Sequence, residues 1–520
     1  MSKPISENSR FIALSPENGS EFVEGQKVIF EVKPNISFIK GKDSYISLDL
    51  ENTSDNGVMA HPVSLAGCSG LIERMDIFAM ESGQLLESLN NYNLWSAIEN
   101  QYTTENSDEL VYKEGCMTPF RAYICSSDAD TKALVISDES IVAGANGSTR
   151  LSTIDSLGIN KRFKHKFMIP IKSGIFNHYS DDEKLTPNLL FGGMRIEITL
   201  ASNENVLSKV MAQDTAGVAH KAVDYASGIP CDDMAGVALI KVTAPANDPQ
   251  SIGFSVGNVI HFNNAADTQN GSRTITVVDK TTTANHVTIT VDAVITSATG
   301  VKIFHPPNSQ TKYRVSNLEL KVLEVIPPVD MMRSVIKESQ IDFISYEVFT
   351  DNLPTTSLRH QVEFPSVSTK GKALFTHYIS DTSTNDEFAP HYYAGESPTQ
   401  SKLNSVQYFI NNKNYPLKSY NPNSFNDRII AYNEIVKAMR SIGLNVKKLG
   451  DSKMMADYSF TYLTARELAR GKDFVYPLKD AEAQLRTQYS GTRTANHRLI
   501  SFVFSVRSIM IDKNQLSVVY

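Results

Sequence analysis

Tryptophan occurs once in this chain and cysteine four times. The cysteines, Cys68, Cys116, Cys125 and Cys231, have no CxxC spacing and no histidine companions at ligand distance, so they predict free buried thiols rather than a disulfide framework or a zinc site. No stretch approaches the roughly 20 consecutive apolar residues of a membrane span. Neither sign of charge dominates: 50 basic residues against 57 acidic ones give a formal charge of −7, which argues against a nucleic-acid coat. The first residues, MSKPISENSR, lack the apolar core of a secretion signal, so synthesis and retention in the cytosol are expected.

Motifs of chemistry are missing too. No Walker A, GxGxxG, HExxH or GxSxG pattern occurs. Gly67-Cys68-Ser69-Gly70 approaches a nucleophile elbow, but Leu71 stands where the second glycine is required. The histidines, His165, His178, His377, His391 and His497 among them, never fall in an i,i+4 pair on a predicted helix. Asp181-Asp182-Glu183 and Asp232-Asp233 could face a cation, yet no alternating-ligand loop follows either, and solvated loops are expected. The compact basic run KRFKHK (161–166) lacks interleaved aromatics and leads into an apolar strand. No catalytic, cofactor-binding or metal-ligating residue is nominated, and no cofactor is implied.

What is present is β periodicity, and it comes twice. Residues 70–99 read as an alternating strand, a turn at Glu81-Ser82-Gly83, an Asn91-Tyr92-Asn93 step and a short amphipathic helix. Residues 403–438 repeat that plan, with a turn at Asn411-Asn412-Lys413-Asn414 and a Ser419-Tyr420-Asn421 step. HKFMIPIKSGIF (165–176) has a counterpart in KDFVYPLKDAEAQL (472–485), and each half closes on a long β run, 314–326 and 499–511. Two copies of one β-rich module point to assembly rather than chemistry.

Composition sets the boundaries. Residues 1–22 are polar and predict a flexible N-terminal arm. A first module covers 23–206 and resumes at 312–327, and residues 105–155 within it read as long loops. Between them, 207–311 lacks glutamate and is rich in Thr, Val and Ala, with closely spaced strands around the Asn270-Gly271 turn; it predicts an inserted β domain. Residues 328–340 predict a linker helix, and 341–520 the second module. The strongest helix is SFNDRIIAYNEIVKAMRSIG, with Ser424 at the N-cap, Asp427 in the capping-box place, Gly443 as the stop, and a stripe of Ile429, Ile430, Tyr432, Ile435, Val436 and Met439. Mainly β architecture with a few short helices, built as sandwiches with elaborated loops, fits this pattern.

The tyrosines of the second module, in HYYAGE (391–396) and at Tyr415, Tyr420 and Tyr432, would suit a glycan-binding face or, more simply, a protein interface. Three readings from different classes remain: a structural assembly protein, a glycan- or receptor-binding β-sandwich protein such as a spike, fibre or lectin-like module, and a β-sandwich hydrolase. The last has no nucleophile or metal signature behind it.

The order SYISLDLENT, SGLIERMDIFAMESGQLLESLNNYN, HKFMIPIKSGIF, LTPNLLFGGMRIEITLAS, YRVSNLELKVLEVI, followed by VQYFINNKNYPL and a helix, resembles the double jelly-roll major capsid proteins of virophages and polinton-like viruses, in the PRD1–adenovirus lineage. The resemblance covers most of 25–520 outside the insertion. It implies two consecutive jelly-roll β-sandwiches (a double jelly roll) and a homotrimer forming a pseudo-hexameric capsomer. Capsomers would tile an icosahedral virion shell over double-stranded DNA, with 207–311 as an outer turret and the N-terminal arm beneath. The partners implied are further copies of the chain, penton and other minor capsid proteins, with no sequence-specific nucleic-acid binding. An internal membrane is possible but not indicated, and synthesis would take place in the host cytoplasm or a viral factory. Some relatives carry a C-terminal extension removed by a protease; this chain stops at Tyr520 just after its last strand, so no such maturation is expected.

Overall fold

A computed structural model of the chain describes residues 8–53, 60–62, 67–103, 122–124, 134–136, 164–180, 184–209, 229–232, 239–243, 259–263, 271–279, 286–292, 302–304, 311–326, 340–365, 368, 370–380, 402–446, 463–469, 475–478, 483–512 and 515–519. The first half opens with β1 (Asn8–Leu14), β2 (Glu21–Phe22), β3 (Lys27–Val32), β4 (Phe38–Ile39), β5 (Tyr45–Asn52), β6 (Ala60–Pro62), β7 (Ile72–Ala79) and β8 (Leu85–Asn90). Helix α1 (Tyr92–Thr103), a hairpin of β9 (Ala122–Ile124) and β10 (Leu134–Ile136), then β11 (Lys164–Pro170) and β12 (Met194–Leu200) follow. After a helical turn α2 (Asn203–Val206) and β13 (Leu207–Lys209) come β14 (Ile229–Asp232), β15 (Leu239–Thr243), β16 (Val259–Asn263), β17 (Gly271–Asp279), β18 (His286–Val291) and β19 (Lys302–Phe304). β20 (Tyr313–Ile326) closes the half. The second half runs β21 (Gln340–Leu353), β22 (Arg359–Glu363), β23 (Gly371–Ser380), β24 (Leu403–Ile410), β25 (Lys413–Tyr420), α3 (Phe425–Ser441), β26 (Leu463–Glu467), β27 (Ala483–Tyr489), β28 (His497–Asp512) and β29 (Gln515–Val519).

In the first half the sheet β1-β20-β5-β11 packs on β3-β12-β7-β8; in the second, β21-β28-β23-β26 packs on β22-β27-β24-β25. Taken in chain order, the eight strands of each half occupy the same places: the first joins the last, which joins the third, which joins the sixth. That is jelly-roll connectivity, carried out twice. Side chains alternate accordingly. In β12, Met194, Ile196, Ile198 and Leu200 are buried, while Arg195, Glu197 and Thr199 face outward to varying degrees. The β7–β8 turn needs Gly83 at φ 66°, a left-handed conformation that β-carbons disfavour.

The insertion is a closed barrel in the order β14-β15-β18-β17-β16-β19. Its chain leaves and returns at one point, since the Tyr313 N–H donates to Asn203 Oδ1 at 3.2 Å and the Tyr313 hydroxyl to the Ala201 carbonyl at 2.5 Å. Leu207–Lys209 pairs with Ala60–Pro62 rather than with the barrel, so these first residues of the 207–311 segment join the first half.

Several expectations need correcting. Residues 1–22 are not a flexible arm throughout: β1 pairs with β20 along its whole length, from Asn8↔Ile326 to Leu14↔Leu320, and β2 also lies on β20. Arg10 meets the buried Glu324 at 2.8 Å, and Ile12 and Leu14 pack on the core. An edge strand with one wet face reads as polar, which hid it. The 105–155 region is not loop alone, because it contains β9 and β10. The 165–176 and 472–485 segments are not structural equivalents: the first begins in β11, whose counterpart is β26, Leu463–Glu467. On α3, Ile429 and Ile430 lie outside the buried stripe, which runs through Ala431, Ile435, Val436, Ala438 and Met439. Ser424 has the extended backbone of an N-cap without a side-chain cap bond, and Asp427 accepts instead from the Asn421 N–H at 2.8 Å. Gly443 does end the helix, at φ 83°. Residues 328–339 of the predicted linker helix lie outside the described residues, and Gln340 already belongs to β21.

Candidate functional site

Among the described residues, a dense aromatic constellation lies where the two sandwiches meet. β8 ends at Asn90, Asn91 turns left-handed at φ 52°, and α1 begins, packed on the Gly67–Leu71 turn and β7. That placement sends Trp95 into the second sandwich. Its ring centroid lies 4.6 Å from Phe504, 5.0 Å from Phe375, 5.2 Å from Phe502 and 6.0 Å from Tyr346. Phe375 pairs with Phe502 across β23 and β28, and Tyr346 with Phe504 across β21 and β28, so the four rings share one sheet face. The opposite face points into the second sandwich itself: Thr376 bonds Ser501 at 2.9 Å, and Tyr408 of the facing sheet donates to Thr464 at 3.3 Å. All ten residues of β23 are buried in consequence, one face by its own sandwich and the other by the first. Tilted and edge-on ring pairs of this kind add about 0.5–1.5 kcal/mol each to the burial of their area.

The loop after β11 completes the junction. Buried Glu87 on β8 accepts from the Gly174 N–H at 3.0 Å, the Ile175 N–H at 3.2 Å and the Ser173 hydroxyl. The Tyr92 hydroxyl accepts from the Lys172 N–H at 2.8 Å and donates to the Pro170 carbonyl at 3.1 Å. Lys172 donates to Asn100 Oδ1 at 2.7 Å and lies 3.7 Å from Glu99, which His178 meets at 2.8 Å. A buried carboxylate is tolerable only when paired and bonded in this way. So held, the loop presses on the second sandwich. A β-carbon at Gly174 would collide with the Ile344 carbonyl oxygen and stand 2.8 Å from the Phe343 ring. Tyr179 meets Phe504 edge-on at 5.4 Å, and its carbonyl lies 2.8 Å from where a β-carbon on Gly443 would be. Burial, and next the charge of Glu99, push the Tyr179 phenol well above its ordinary pKa, so it stays neutral. One hydrophobic core runs unbroken through both sandwiches.

The residues weighed for chemistry are dispersed. Ser69 is buried in the Gly67–Leu71 turn, out of reach of a substrate, and Cys68 lies in the same turn. Cys231 and Asp232 belong to β14 of the barrel. His165 sits in β11, His178 in the junction loop, and His377 and His497 are buried in strands of the second sandwich. Tyr420 and Tyr432 are buried, and Tyr415 is half-buried with the Arg466 guanidinium 4.6 Å over its ring, so these three form no open sugar-stacking face. Residues 161–163, Cys116, Cys125, Asp181-Asp182-Glu183, Asp233 and 391–396 lie outside the described residues. Among the described residues no group of His, Cys, Asp and Glu could hold a metal ion, and no helix is long and apolar enough to cross a membrane.

Trp95, Glu87, Lys172 and Gly174 were not singled out from the sequence. The available signals were a lone tryptophan inside a helix and a glutamate within the otherwise apolar LLESLN.

No family model and no curated protein matches the chain. Solved structures do. The Faustovirus major capsid protein is similar over 98% of this chain and 92% of its own, with TM-score 0.52 and 10% identity. PBCV-1 VP54, in the crystal structure fitted into a cryo-EM reconstruction of the virophage Sputnik, is similar over 100% of this chain and 98% of its own, with TM-score 0.51 and 11% identity. The quasi-atomic model of the PBCV-1 virus capsid gives 100% and 98%, with TM-score 0.50 and 12% identity. The fold is a double jelly roll, mainly β, two sandwiches in tandem with a small barrel inserted in the first.

Proposed function

We propose that this chain is the major capsid protein of an icosahedral double-stranded DNA virus. Its role is structural, without enzymatic chemistry. Three copies form a pseudo-hexameric capsomer, and capsomers tile the virion shell beside penton and other minor capsid proteins. The observation that carries this reading is the doubling itself: two jelly rolls of one connectivity, locked by a buried aromatic junction. A rigid pair of like modules gives a trimer six near-equal positions, which is what a three-fold object needs to fill a six-neighbour site in a shell. The fold of the solved capsid proteins supports the same reading. The barrel between β12 and β20 is assigned to the outer face as a turret, because an insertion whose ends meet leaves the sandwich free to pack by its flanks.

Light scattering on the purified chain, with negative-stain images of the same peak, tests the proposal. A compact trimer with six-fold-looking top views, or spontaneous shells, is the expected result. A stable monomer that binds a glycan array would overturn it in favour of a receptor-binding surface protein.

A further inference from the structure

Buried lysines are rare, because an ammonium group gives up its water on entering a core and must find charge and hydrogen bonds there instead. Lys172, in the loop after β11, is such a residue, only 3% exposed. Its company is chemically specific: Glu99 and Asn100 near the end of α1, 4% and 8% exposed. Lys172 Nζ lies 2.7 Å from Asn100 Oδ1 and 3.7 Å from Glu99 Oε1. An amine, a carboxamide and a carboxylate thus converge on one point inside the protein.

The scaffold fixes all three. The Lys172 N–H donates to the Tyr92 hydroxyl at 2.8 Å, and Glu99 stands two turns beyond Tyr92 on the same face of α1. His178 Nε2 meets the same Glu99 oxygen at 2.8 Å, from farther along the loop. The carboxamide carbon of Asn100 is one C=O bond of about 1.23 Å from Oδ1, which puts it within about 3.9 Å of Lys172 Nζ. Near-attack geometry asks for about 3–3.5 Å, so a small turn of the amide completes the approach. The surroundings are of low polarity: burial first, and the Glu99 charge next, push the phenol of Tyr179, 3.5 Å from the Lys172 carbonyl oxygen, well above its ordinary pKa.

We infer that Lys172 and Asn100 join in an isopeptide bond, made by the chain on itself with Glu99 as the acid–base group. Glu99 takes one proton from the Lys172 ammonium. The freed amine attacks Asn100 Cγ, a nitrogen–carbon bond forms, and the carbonyl oxygen takes the electron pair of its π bond. Glu99 then gives its proton to the Asn100 amide nitrogen and takes a second from the attacking nitrogen. The old carbon–nitrogen bond breaks as the carbonyl re-forms, and ammonia leaves. Glu99 ends protonated; nothing is oxidised or reduced, and no co-reactant is consumed. The products are neutral where the reactants were a buried ion pair, and relief of that desolvation favours the bond. The step happens once per chain and acts on no outside substrate, so it adds a covalent staple to a structural protein. The staple spans 72 positions of sequence and ties α1 to the loop after β11, at the place where both bear on the second sandwich. It stands whether or not the chain assembles into shells.

Mass spectrometry of the denatured full-length chain, with a tryptic digest, tests the bond. The expected result is an intact mass lower than the sequence requires by one ammonia, no cleavage after Lys172, and one branched peptide joining Lys172 to Asn100. Cyclisation at the Asn-Gly pairs 146–147 and 270–271 also expels ammonia, so the branched peptide decides. Glu99→Gln keeps the shape and removes the base; shown by circular dichroism to be folded, it should give the full mass and two separate peptides. A wild-type chain that is cut after Lys172 and yields Lys172 and Asn100 in separate peptides overturns the inference. A Glu99→Gln chain linked as fully as the wild type overturns the part given to Glu99.

Discussion

The two sandwiches share a connectivity and differ in what lies on their outer sheet faces. In the second, Tyr346, Phe375, Phe502 and Phe504 are sealed beneath Trp95. In the first, Phe11, Tyr45, Leu323 and Met168 occupy the corresponding face with only partial cover. They differ also in the seventh-to-eighth strand connection: β27 runs to β28 through a short turn, whereas β12 reaches β20 only after a whole barrel. A duplicated module diverges where its surroundings diverge, and the aromatic face marks the junction that is made within the chain.

The largest expected effect comes from prying that junction open. Gly174→Val places two methyl groups where a single β-carbon already collides with the Ile344 carbonyl. Overpacking against backbone, which cannot rotate away, should cost at least the upper end of about 1–3 kcal/mol. Denaturant unfolding measures it, with Gly491→Ala as the contrast, since nothing lies within 4 Å of a β-carbon there. Equal midpoints for the two variants would mean that the loop does not bear on the second sandwich. Trp95→Ala removes the ring at the centre of the junction instead and should cost about 3–5 kcal/mol, in the range of buried aromatic truncations. Being the only tryptophan, Trp95 also reports on the junction in the wild type. Because one core spans both sandwiches, its fluorescence should change together with the far-ultraviolet dichroism; an earlier fluorescence transition would show a junction that opens before the sandwiches do.

Glu87→Gln ranks next. The amide keeps the shape but loses the charge that gathers the Gly174 and Ile175 N–H groups and the Ser173 hydroxyl, and it turns an NH2 toward donors. Loss of charged hydrogen bonds of this kind costs about 1.5–3 kcal/mol, read as a shift in the thermal midpoint. No equivalent is expected from the second sandwich, where the matching strand β25 is mostly exposed and buries only Tyr420 at its end.

How much of this was legible depended on range. The β7–β8 hairpin with α1, and β24–β25 with α3, could be read because alternation, turn residues and a helix start are local signals. The long closing strands could be read for the same reason. β1 could not: its partner β20 is over three hundred positions away, and only the register Asn8↔Ile326 explains why a polar stretch is ordered. The stripe on α3 was misjudged at Ile429 and Ile430 because hydrophobicity names residues that want cover without saying whether the cover lies in the same chain. The apparent match of 165–176 with 472–485 shifted the register because a shared Pro-x-Lys pattern outweighed the weaker strand at Leu463–Glu467. The junction was invisible for a related reason. Trp95 and Phe504 lie in different modules, and nothing in either module's own periodicity brings them together.

A smaller effect distinguishes the strand that opens the second sandwich. Burial alone would raise the Asp342 pKa, but hydrogen bonds from Gln340 and Ser508 and the charge of Lys370 outweigh it and hold the group below its ordinary value. A depressed carboxylate stabilises the fold above its unfolded pKa and loses that contribution as the pH falls through the folded one. Asp342→Asn should therefore flatten the acid limb of the stability curve slightly and leave neutral pH nearly untouched in slope, the effect being small because the side chain is about half exposed. An unchanged acid limb would remove Asp342 from the account of this edge.

The smallest effect is expected from the largest change. Replacing residues 210–311 by a short Gly-Ser linker removes the barrel, the feature that most distinguishes the first sandwich from the second. The chain on the two sides of the cut is already tied together, with Tyr313 bonded to Asn203 and Ala201, and the loop that closes is shorter than the one it replaces, so its closure entropy falls. β13 keeps its pairing with β6, and the order β1-β20-β5-β11 is untouched. The shortened chain should unfold within a few degrees of the wild type and assemble to the same oligomer, because both sandwiches and the junction between them are kept. A shortened chain that folds but no longer assembles would transfer the interface to the barrel, and with it the meaning of the difference between the two halves.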